Sequence, residues 1–161
     1  MLDEFREEAA ITKRILDRVP ANKLAWKPHQ KSMSLGQLAM HIAKVPGDLA
    51  KLLQVDEFDA SQANFDPPGP KELAEIHAAF EQSVRDAEAF LNGMSDDAAQ
   101  TNWRLVVRGK PAFQMPRIKV ARSIMMNHWY HHRGQLSVYL RLLDVPVPVI
   151  YGRSADENPF A

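Results

Sequence analysis

Four stretches of this chain repeat apolar residues every three or four positions, with charged residues between them. That period matches the turn of an α-helix, so each stretch predicts a helix with one face to bury. The first carries Phe5, Ala9, Thr12, Ile15, Leu16 and Val19 and stops at Pro20. The second opens at "SLGQ", where Ser34 and Gln37 have the spacing of a capping box. Its stripe of Leu35, Leu38, Ile42, Val45 and Leu49 runs to about Val55. Pro46 lies inside this stripe, lacks an N–H and clashes with the carbonyl of Ile42, so a kink is expected just after His41. The third stretch begins near Pro70 and carries Leu73, Ile76, His77, Phe80, Val84, Ala87 and Leu91, with Gly93 as its C-terminal cap. The fourth runs from Arg117 to Leu143 on Ile118, Ala121, Met125, His128, His132, Leu136, Tyr139 and Leu143.

The segments between are short of helical signal. "DEFDASQANFDPPGP" has the composition of a loop. "WRLVVRGKPAFQM" predicts a short hairpin turning at Gly109. The Pro-rich tail "DVPVPVIYGRSADENPF" cannot continue the last helix and is too apolar to stay in water, so it should pack on the body. The fold expected is all-α: a four-helix bundle over residues 1–161 as one domain, with that hairpin before the last helix.

Composition excludes several functions. The chain has no cysteine, so disulfides, thiolate metal sites and a cysteine nucleophile are ruled out. Any thiol in its chemistry must come from a small molecule. Lys+Arg and Asp+Glu both number 20, which argues against a nucleic-acid partner. No apolar run reaches the roughly 18 residues needed to span a membrane. The charged, amphipathic start "MLDEFREEAAITKR" lacks a signal-peptide core, which makes the cytoplasm the expected location.

The residues that carry chemistry cluster in "NHWYHHRGQL", which holds three of the chain's six histidines. His128 and His132 are four apart and share a helix face, while His131 turns to the flank. Two readings stand. The pair is either two core histidines hydrogen-bonded to Asn127, Gln135 or Tyr139, or a chelate for zinc, nickel or ferrous iron. A metal would need a third ligand from another helix; His41, among Leu38, Ile42 and Val45 on the inner side of the second helix, is the best candidate, and His77 beside Ile76 and Phe80 competes. His29 belongs to a loop, and Trp26 is either a core aromatic beneath that loop or a pocket wall. A di-iron bundle is disfavoured because no glutamate stands three residues before a histidine. The His-Glu-x-x-His zincin motif, phosphate loops and the serine nucleophile elbow are also missing.

"NHWYHHRGQLSVYLRLLDVPVPVIYGRSADE" resembles the final helix and tail of the DinB-like (damage-inducible) family of bacterial four-helix proteins, and "LAWKP…KSMSLGQLAMHIA" resembles its tryptophan loop and capped helix. The resemblance implies a bundle holding a divalent metal on three histidines, often as a homodimer. Carried over by position, the ligands are His41, His128 and His132, with His77 and His131 outside. It also implies two functional options. One is a metal-dependent enzyme, a hydrolase or thiol-S-transferase-like protein that activates water or a low-molecular-weight thiol. The other is a non-catalytic dimeric scaffold. Asn127, Gln135 and Trp26 are the expected supporting or pocket residues. Trp129, Val138, Phe65 and Phe113 are the apolar residues expected to face a second copy.

Overall fold

The computed structural model describes residues 1–160. Helix α1 (Leu2–Leu16), α2 (Leu35–Leu52) and α3 (Leu73–Gly93) lie where the apolar periodicity places them. The fourth helical stretch is made of α5 (Arg117–Val120), a π-helical segment (Ala121–Asn127) and α6 (His128–Leu142). A short α4 (Asp96–Gln100) precedes it, capped by the Ser95 hydroxyl. Helix α2 packs on α3 and α6, and α1 packs on the same two, so the four stretches close around one buried cluster. The Ser34–Gln37 capping box forms as expected. Gly93 is the last residue of α3 rather than a cap beyond it, and the chain leaves through an extended Met94.

The fold is not all-α. Strands β1 (Glu57–Asp59), β2 (Asn102–Val107) and β3 (Lys110–Pro116) form a small sheet in the order β1-β2-β3. The expected hairpin is β2 and β3. Its turn holds Arg108 and Gly109, both at positive φ, as a two-residue turn of the type I′ family requires. The addition is β1, which pairs parallel with β2 from inside the segment with loop composition. A three-residue strand is too short to show an alternating pattern. Tertiary contacts hold it: the Asp59 carboxylate accepts from the backbone N–H groups of Arg108 (3.0 Å) and Gly109 (3.2 Å).

Helix α2 runs unbroken from Leu35 to Leu52 through the buried Pro46. Groups from neighbouring helices meet the disturbance there. The Trp129 indole N–H donates to the Ile42 carbonyl (2.8 Å), the acceptor that Pro46 cannot serve. Ser83 of α3 accepts from the Gly47 N–H (2.8 Å) and donates to the Lys44 carbonyl (3.2 Å). The far end of α2 is closed by Trp103, which donates to the Leu52 carbonyl (3.0 Å), and by Arg117, which donates to the Leu53 and Val55 carbonyls.

Trp129 therefore does not face a second copy. It is fully buried and stacks on Phe5 with ring centroids 5.4 Å apart. Arg133 is buried as well, and its guanidinium binds the Glu8 carboxylate, the Glu8 carbonyl, the Thr12 hydroxyl and Tyr151. The tail packs on the body: Glu157 bridges Arg14 of α1 and Arg18 just beyond it, while Asp156 pairs with Arg141 of α6. No helix among the described residues is long and apolar enough to cross a membrane.

Candidate metal centre

His41 stands in the second turn of α2, just beyond the capping box that fixes where that helix begins. His128 is the first residue of α6, where the π-helical segment ends. Coming into that segment the buried positions are Arg117, Val120, Ala121 and, within it, Met125; leaving it they are Met126, Trp129, Arg133, Leu136 and Leu140. The two stripes are offset by one residue, and a π turn supplies one extra residue. The core's centre thus falls on Trp129 and Arg133. His128 and His132 move to its rim, where they are half-buried rather than enclosed.

The three rings converge at that rim. His128 Nε2 lies 3.0 Å from His41 Nε2 and 3.1 Å from His132 Nε2. An imidazole nitrogen has one in-plane lobe, which serves one hydrogen bond as donor or acceptor. His128 Nε2 faces two other nitrogens, so hydrogen bonding between the rings leaves at least one contact unsatisfied. A cation shared by three lone pairs satisfies all of them, and these histidines meet the spacing of a metal-binding group. The donor set therefore fits a divalent ion with imidazole preference.

The electrostatics point the same way. His41 is pushed down to about 4, chiefly by burial and then by its neighbours His132 and His128. Burial also lowers His128 and His132, and the charge of His131 adds to both shifts. The rings are thus neutral near pH 7, the state a metal ligand needs. Gln135 Oε1 sits 2.7 Å from His132 Nδ1. With the proton on Nδ1, that contact turns the Nε2 lone pair toward the other two rings.

The other sequence candidates lie elsewhere. Asn127 is on the exposed side of its helix. Trp26 packs edge-on against Tyr139, centroids 5.8 Å apart. His77 faces Asp17, the C-cap of α1, at 3.7 Å. His131 is exposed beside His132, and His29 is exposed in its loop.

A cleft of about 290 Å³ opens beside His41, lined in part by Met40, Lys44, Asp48, Phe65 and Asp66. Its outer wall is the 63–68 loop, held to α2 because Gln37 donates to the Pro67 carbonyl (3.0 Å). Lys44 and Asp48 are three and seven residues after His41, so helix geometry puts all three on one face. That spacing is visible in the sequence, but nothing local says that a loop would roof it. A larger depression of about 390 Å³ between α2 and α3 includes Lys51 and Asp86 but no histidine.

A mostly helical protein with a small sheet and three converging histidines defines a class: a helical fold with a candidate metal site between two helices. The sequence pattern of the DinB family matches residues 1–158, and the chain belongs to that family. It is 25% identical over 163 residues to the uncharacterized protein YrdA of Bacillus subtilis (strain 168), covering 97% of this chain and 89% of that one. Two crystal structures share the fold. A DinB-like protein from Bacillus cereus ATCC 10987 superposes with a TM-score of 0.71 at 22% identity, and the DinB-like protein YjoA of Bacillus subtilis with 0.72 at 16%. Each comparison covers 93% of this chain and 95% of the other.

Proposed function

We propose that this protein is a divalent-metal-dependent enzyme acting on a small molecule in the cleft beside His41, by hydrolysis or by transfer of a low-molecular-weight thiol. The observation that carries this reading is the convergence of three neutral imidazole nitrogens, from two helices, next to a polar cleft. His41, His128 and His132 hold the ion, with zinc, nickel and ferrous iron all suited to imidazole. A dication held by three neutral ligands keeps its full charge and supplies Lewis acidity toward water or a thiol.

The chain's own residues do the rest. Gln135 orients His132. Lys44 on the cleft wall offers a positive charge to an anionic substrate group, and Asp48, 3.5 Å from it, offers a carboxylate to take up a proton. The chain has no cysteine, so a transferred thiol is a small-molecule substrate. We place the protein in the cytoplasm, which suits its cysteine-free composition. We take its four helical stretches to be the family's bundle, in one domain. We also infer a homodimer: Val138 and Leu142 lie one turn apart on α6, each 58% exposed.

The test is metal analysis of protein purified without a His-tag or chelator, followed by hydrolysis and thiol-transfer assays with and without added metal. The expected result is about one metal per chain and activity that chelation abolishes and metal restores. Full metal occupancy with no activity on any substrate would favour the scaffold reading, and activity indifferent to metal would overturn the metal's catalytic role.

A further inference from the structure

We propose that Trp129 is a positioning residue for the histidine site: its indole N–H, bonded to the Ile42 carbonyl, holds α2 and α6 in the register that brings His41 to His128. Ile42 directly follows His41, and Trp129 directly follows His128. A single 2.8 Å hydrogen bond therefore ties the two helices one residue from each histidine. Both residues are fully buried, so water cannot replace the bond.

The acceptor is free because of Pro46. In an ordinary helix the Ile42 carbonyl accepts from the N–H of residue 46, and proline has none. The tryptophan ring is itself immobilised. It stacks on Phe5 of α1, with an interplanar angle of 22°, and lies 6.5 Å from Phe80 of α3. Its N–H is thus aimed by helices that carry none of the three histidines. Pro46 and Trp129 form a complementary pair: the proline exposes an acceptor on α2, and the tryptophan uses it to dock α6.

This inference rests on the metal reading for one of its readouts, but a second readout is independent of metal. The experiment compares wild type, W129F, P46A and W129F/P46A. Each is measured for Co(II) affinity by visible absorption and for thermal midpoint. In the metal-free protein, each is also measured for nuclear Overhauser effects between the ring protons of His41 and His128, whose centroids lie 5.2 Å apart. W129F should bind Co(II) about 10-fold more weakly and lose the inter-ring effect. P46A should behave as wild type at the site, because the Ile42 carbonyl has a second lone pair and keeps the indole N–H while accepting from residue 46. In the double variant the P46A change restores a backbone N–H that satisfies the Ile42 carbonyl. The thermal midpoint should then recover while Co(II) affinity and the inter-ring effect stay impaired.

A double variant that recovers all three would overturn the proposal, because Trp129 would then only satisfy a carbonyl. W129F with wild-type affinity and inter-ring effect would overturn it as well. If W129F does not fold, the comparison of P46A with the double variant carries the same test. A wild-type protein that takes up no Co(II) refutes the metal reading alone, and the inter-ring effect then decides the role of Trp129.

Discussion

His41 shows how one side chain's surroundings set its chemistry. In the unfolded chain it protonates near 6.5, whereas in the fold it does so only at about 4. Between those values the unfolded state binds the extra proton, so stability of the metal-free protein should fall as pH drops from 6.5 toward 4. Denaturant midpoints across that range check this, and H41Q should flatten the slope. His131 and His132 are adjacent in sequence but differ in position. H132A should lose most metal affinity and H131A should keep it, as read by metal titration; equal losses would mean that the chelate includes His131. Replacing Gln135 by leucine removes the partner of His132 Nδ1 and should weaken metal binding about 10-fold.

At the scale of elements, the closest constraint is where α2 meets α3. A Cβ on Gly47 would lie 2.7 Å from the Ser83 Cα. Alanine favours a helix over glycine by about 1 kcal/mol, but the clash is with backbone and cannot be relieved by a side-chain rotation. G47A should therefore destabilise by about 1–3 kcal/mol in denaturant unfolding. A gain in stability would mean that the helices can separate. Helices α1 and α6 are joined differently, through the buried Arg133 and Glu8, whose side chains are 1% and 12% exposed. R133M takes the cation away from Glu8, which keeps the Tyr151 hydroxyl (2.9 Å), and should cost about 3–5 kcal/mol. R133M/E8Q should recover part of this, because the stranded carboxylate is the larger penalty.

Over the whole molecule, the buried cluster includes Phe5, Ile15, Leu16, Leu35, Leu38, Ile42, Leu53, Ile76 and Trp129. Burying each large apolar side chain contributes about 1.5–3 kcal/mol, so the fold does not depend on a metal for its driving force. The histidines occupy the rim of that core. Chelation should leave the far-ultraviolet circular dichroism of the helices unchanged while abolishing activity or thiol binding. Unfolding on chelation at room temperature would make the metal structural. Sedimentation at micromolar concentration should give twice the 18.2 kDa chain mass if Val138 and Leu142 meet a second copy.

The sequence by itself determined the features governed by short-range rules. The helical stretches follow from apolar period, the start of α2 from Ser34 and Gln37, and the hairpin turn from the freedom of Gly109. That His128 and His132 share a face follows from a four-residue spacing, but their place at the rim of the core does not. His41 is the better placed third partner by its position among Leu38, Ile42 and Val45, and the family resemblance favours it over His77. What needed the tertiary structure is whatever depends on which elements meet. Strand β1 exists because β2 and the Arg108–Gly109 turn offer it partners. The π turn moves the core's centre onto Trp129 and Arg133, a shift of one residue that strict helical periodicity cannot express. The expected disturbance at Pro46 is met by an indole and a hydroxyl from α6 and α3. A local sequence can specify that the Ile42 carbonyl lacks its donor, but only packing can bring that donor from 87 residues away, because a hydrogen bond depends on distance in space and not along the chain.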